Sequence, residues 1–85
     1  MENNEARVNI TYLGENGDLP DPVLFDSPDG DVKGWVTEAV ANGGIPGIPA
    51  AQDPDFTDFV VDRFSANDER DYNLIQVRPK TPFGG

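Results

Sequence analysis

Cysteine and histidine are both absent from the 85 residues, so the chain has no thiolate nucleophile, no imidazole base and none of the usual nitrogen or sulfur metal ligands. Carboxylates and hydroxyls remain. The pairs Asp53/Asp55, Asp58/Asp62 and Asp68/Asp71 are the kind of group that holds a cation or cleaves a glycosidic bond. They follow no EF-hand ligand pattern and are read as solvated surface charge, so no catalytic or metal-ligating residue is assigned. Gly44-Ile45-Pro46-Gly47 lacks both the Gly-Lys-Ser/Thr ending of a phosphate loop and the dinucleotide-binding glycine spacing. The remaining chemistry lies at Gly84-Gly85. Without Cβ atoms, two successive glycines can thread a narrow channel and adopt backbone angles that other residues resist. A carboxylate there is a poor electrophile and needs activation by another molecule. A binding or carrier role is therefore favoured over that of an enzyme.

The charge narrows the choice of partner. Sixteen acids against six bases give a net charge of -10, which opposes nucleic acid phosphates and anionic lipid at long range. A basic partner surface fits this balance, as does a saline cytoplasm in which acidity maintains solubility. At this length one small core is the ceiling. No apolar run approaches the roughly 20 residues that span a bilayer, and Met1-Glu2-Asn3-Asn4-Glu5 lacks the basic and apolar regions of a signal peptide. The expectation is a cytoplasmic protein.

The elements that would carry the tail follow from periodicity. Val8, Ile10 and Tyr12 alternate with Asn9 and Thr11, predicting a strand over 6–13. Asn16-Gly17 predicts a hairpin turn within 14–18, with a return strand over 21–26 that Pro20 and Pro22 confine to a sheet edge. Ser27-Pro28 reads as N-cap and first residue of a helix over 28–41, which Asn42-Gly43-Gly44 would stop. Val32, Trp35, Val36, Ala39 and Val40 fall on one stripe of this helix, making Trp35 a core residue. Residues 44–55 read as an irregular connection. Thr57 to Phe64 and Tyr72 to Val77 read as two further strands, with Ile75 and Val77 inward and 65–71 a polar loop between them. The same alternation points Leu13, Val60 and Leu74 outward. The domain division is a disordered 1–5, a folded 6–78 and a flexible tail over 79–85.

One helix covering one face, with the first and last strands parallel, is the α+β topology of a mixed four- or five-stranded β-grasp sheet. Over residues 7–85 the sequence resembles ubiquitin-like proteins. The likeness rests on Val8-Asn9-Ile10-Thr11-Tyr12-Leu13-Gly14, on Val32-Lys33 in the helix, on Gly44-Ile45-Pro46 after it and on Gly84-Gly85. Pro79, Pro82 and Phe83 are more similar to the tails of molybdopterin-synthase small-subunit sulfur carriers and their archaeal relatives. With only two lysines, Lys33 and Lys80, the chain lacks ubiquitin's chain-building surface and resembles bacterial ubiquitin-like modifiers more closely.

The resemblance implies that Gly85 is adenylated by a partner activating enzyme with ATP and passed to that partner's cysteine. A conjugating enzyme would join it to target proteins and a metalloprotease would release it. No cofactor intrinsic to the chain is implied. Leu13, Val60 and Leu74, with Arg78 and Phe83, would form the partner-binding surface. Two alternatives use the same residues: a sulfur carrier bearing a C-terminal thiocarboxylate, and a β-grasp interaction module whose Gly84-Gly85 is incidental.

Overall fold

The computed structural model describes residues 4–80. The elements run β1 (Glu5–Tyr12), β2 (Glu15–Asp18), β3 (Val23–Leu24), α1 (Asp29–Ala41), β4 (Val60–Phe64) and β5 (Asn73–Arg78). They form a mixed five-stranded sheet in the order β2-β1-β5-β4, with β3 also paired to β1. The first and last strands are parallel, in register from Ala6↔Asn73 to Ile10↔Val77. The helix packs on one face of the sheet, giving the α+β β-grasp arrangement.

Alternation in β1 and β5 buries Ala6, Val8 and Ile10 beside Ile75 and Val77, and Val32, Val36 and Val40 of α1 close over them. These helix positions lie at i, i+4 and i+8, so the buried stripe is narrow. Trp35, expected in the core, sits on the flank of that stripe and is 41% exposed. The core instead takes its aromatic from the connection between α1 and β4, one residue beyond the 44–55 stretch read as irregular. Phe56 is 2% exposed, with its ring centroid 4.6 Å from Phe59 and 5.0 Å from Tyr12. Ile45 and Ile48 are buried beside it in the same connection, closing the end of the layer that the helix does not reach.

The hairpin turn lies earlier than Asn16-Gly17. Tyr12 pairs with Glu15, leaving Leu13 (φ 52°) and Gly14 (φ 80°) as the two-residue loop, both in the positive-φ region that a type I′ turn requires. Asn16 is held in the ladder, donating to Asn9 Oδ1 at 3.0 Å and Thr11 Oγ1 at 3.1 Å. Gly17 serves close approach: a Cβ there would lie 2.7 Å from Ile45 Cγ2 and collide with the Pro46 carbonyl. The return strand over 21–26 thus gives way to β2, and Val23–Leu24 survives as the two-residue β3. It is an edge segment, consistent with the missing amide donors of Pro20 and Pro22.

Ser27 does not cap the helix. Its hydroxyl donates back to Leu24 O at 2.7 Å, while Pro28 occupies the N-cap with an extended ψ of 150° and helical structure starts at Asp29. Arg63 holds this start in place. From β4 it reaches under the helix and donates through Nε to Phe25 O (3.3 Å), through Nη1 to Asp29 Oδ1 (2.6 Å), and to Ser27 O. The other end stops as glycine chemistry dictates. Gly43 takes φ 69°, its amide meets Val40 O at 3.1 Å and that of Gly44 meets Ala39 O at 2.8 Å, the paired bonds of a Schellman motif.

Two stability predictions follow from this packing. Ile75→Ala should cost about 3 kcal/mol by chemical denaturation, whereas Trp35→Ala should cost less than about 1.5 kcal/mol because its side chain stands at the core's margin. Arg63→Met should cost about 2 kcal/mol, since its charged donors satisfy two carbonyls ahead of the helix. The same denaturation curves check both, and a Trp35→Ala loss exceeding that of Ile75→Ala would contradict the packing.

Candidate functional site

The face of the sheet opposite α1 carries the residues that alternate with the core. Leu74 pairs with Arg7 of β1 on one side and Phe64 of β4 on the other, forming a row across three strands. Phe64 is 43% exposed. Beside this row lies Tyr72, just ahead of β5. The Arg7 guanidinium sits 4.4 Å from its ring centroid and that of Arg70 5.6 Å away. Arg70 is held there by bonds to Tyr72 O and Ser65 O, each 3.0 Å. An aromatic ring contacted by two guanidiniums, next to a half-buried leucine and an exposed phenylalanine, is a surface suited to protein recognition.

The next row is polar: Asn9 pairs with Gln76, Gln76 with Asp62, and Asn9 also with Asp18. Beyond it Val60 pairs with Arg78, and Arg78 Nε donates to Asp62 Oδ2 at 2.8 Å. The residues that the resemblance assigns to partner binding are therefore spread along the sheet. Val60 and Arg78 lie together where β5 ends. Leu74 lies four residues back, about 13 Å along the strand, with Arg7 and Phe64. Leu13 occupies the tip of the β1–β2 hairpin, beyond the end of the Ile10↔Val77 pairing, and is 79% exposed. Phe83, Gly84 and Gly85 lie outside the described residues.

The sequence pattern by itself does not single out Arg7, Phe64, Arg70 or Tyr72 as surface-site residues. Extending the β4 alternation of Val60 and Asp62 by two residues reaches Phe64. Tyr72 and Arg70 fall at a loop–strand junction with no periodicity to place them. Among the four arginines of an acidic chain, Arg7, Arg70 and Arg78 border this open face, while Arg63 alone faces the helix.

The carboxylates do not converge. Asp62 is committed to Arg78. The Asp55 carboxyl is held below its ordinary range by the Thr57 side chain and by the Thr57 amide, 2.9 Å away. Among the described residues no three carboxylates lie close enough together to hold a metal ion, and no helix is long and apolar enough to cross a membrane.

What the site provides is a route out of the sheet. β5 lies between β1 and β4 and ends at Arg78, so Pro79 and the exposed Lys80 leave from the middle of the sheet, beside Val60. No family model matches this sequence, and no curated protein or solved structure matches it significantly.

Proposed function

We propose that the chain is a ubiquitin-like protein modifier acting in the cytoplasm, with Gly85, whether encoded last or exposed by cleavage, as its reactive end. The Gly85 carboxylate attacks the α-phosphorus of ATP on a partner activating enzyme, forming an acyl-adenylate and releasing pyrophosphate. A partner cysteine thiolate then displaces AMP, and a target nucleophile displaces that thiolate with the help of a conjugating enzyme. A metalloprotease would reverse the linkage. The ATP site and the cysteine belong to the partner, and this chain supplies the acyl group.

The observation that carries this reading is the exit of the chain from the central strand β5, five residues before Gly85 at the described Lys80. A carrier must present its end away from its own fold while a rigid surface docks the enzyme, and a parallel central strand flanked by an open sheet face meets both needs. Pro79 and Pro82 favour an extended approach and reduce the entropy lost on threading. Lysine placement favours single modification: Lys33 Nζ is engaged with Thr57 O at 2.9 Å, which leaves Lys80 as the other lysine of the chain. Pro82 and Phe83 before the glycines support the second reading, a sulfur carrier, in which sulfide displaces AMP to leave a thiocarboxylate.

Two outcomes are expected with an activating enzyme and ATP. Removing Gly84-Gly85, or replacing Gly84→Ala, should leave thermal stability unchanged; truncation should abolish the thiol-sensitive adduct and the alanine should slow its formation at least about tenfold. Equal adduct from intact and truncated chains would leave only the interaction module. Phe64→Ser should raise KM for the activating enzyme about tenfold with little change in kcat, because the open face docks and does not react. A change confined to kcat would remove this face from docking.

A further inference from the structure

The exposed Trp35 lines an open groove of about 700 Å³ between α1 and the segment that joins β2 to β3. Its apolar walls come from Trp35 and Ala39 on the helix and from Leu19, Pro22, Val23 and Leu24 opposite. This groove lies on the helix side of the fold, away from the Tyr72 face, and no step of the acyl-transfer reading uses it.

The edge beside it resists an added strand. Pro20 and Pro22 offer no amide donor, and the Leu24 carbonyl already accepts the Ser27 amide at 3.1 Å and hydroxyl at 2.7 Å. Recognition must therefore run through side chains. The ionisable residues lining the groove are Glu5 and Asp21, both acids, and none of the described Lys or Arg side chains lines it. The indole ring adds a π-face that attracts a cation. A second copy of the chain would bring its own charge of -10 against this rim, which opposes self-association.

We infer that the groove docks a short cationic, apolar segment of another polypeptide, seating its aliphatic side chains between Ala39 and Val23 and an arginine or lysine over Trp35 toward Asp21. Charge complementarity chooses this occupant over an acidic or neutral one, and the blocked edge restricts it to side-chain contacts.

Because the chain contains one tryptophan, emission from Trp35 reports occupancy directly. The full chain, without any activating enzyme, is titrated with a synthetic eight-residue peptide alternating arginine with leucine. A saturable emission change below about 1 mM peptide, weakened at least about fivefold by D21K, is expected. Amide shifts at 19–24 should move with the same midpoint. No saturable change would overturn the inference, as would an equal response to peptides alternating arginine with serine or glutamate with leucine. It would also fall if emission varied with protein concentration alone, which would identify a second copy as occupant. A response seen only after residues 1–3 are removed would make the chain's own N-terminus the occupant. None of these outcomes depends on Gly85 chemistry, so the modifier reading stands or falls separately.

Discussion

Register pairing between residues 6–10 and 73–77 makes the two ends of the described chain neighbours, and most of the architecture answers to that constraint. Parallel strands cannot be joined by a tight turn, so the intervening chain must cross over one face, where α1 supplies the apolar layer. The pairing also puts β5 in the interior of the sheet, with β1 and β4 on its two sides. Asn73 fastens its start: its side-chain amide donates to Glu5 O at 3.0 Å, and its carbonyl oxygen accepts the Ala66 amide at 2.9 Å. A buried polar side chain satisfied on both sides fixes register more sharply than apolar contacts do.

With both centre strands committed, the two faces of the sheet diverge. The helix face is closed by aliphatic packing and by Arg63, which draws the Phe25 and Ser27 carbonyls toward β4. The open face keeps arginines and aromatics together on a chain whose net charge is strongly negative. That separation means that one small domain presents two electrostatically different surfaces. A partner that reads the Tyr72 face meets cations and rings, whereas one that approaches Trp35 meets acids and an aliphatic cleft.

The strands that build the centre were legible because each obeys a two-residue period and the parallel pairing follows from the need to cover one face with one helix. What was hidden has a common cause: residues whose local signal was overridden by a distant contact. Asn16-Gly17 carries the strongest turn signal in the chain, yet Gly17 is needed where Ile45 and Pro46 cross β2, and the turn falls to Leu13-Gly14. Trp35 lies on the helical stripe, but Phe56 and the isoleucines of the connection fill the space at the core's end. Neither Phe56 nor Ile45 sits in a periodic segment, so nothing local marks them as core. The Tyr72 cluster was concealed in the same way, because Arg7 and Arg70 are 63 residues apart and meet at the ring only through the β1–β5 pairing.

The central functional claim concerns a covalent bond, and mass spectrometry of tryptic peptides from the native host tests it most directly. Cleavage after Lys80 leaves Thr81-Pro82-Phe83-Gly84-Gly85 attached to whatever the chain has modified. This five-residue branch is expected on target nucleophiles. Recovery of the same peptide solely with a free carboxylate or a thiocarboxylate would contradict it.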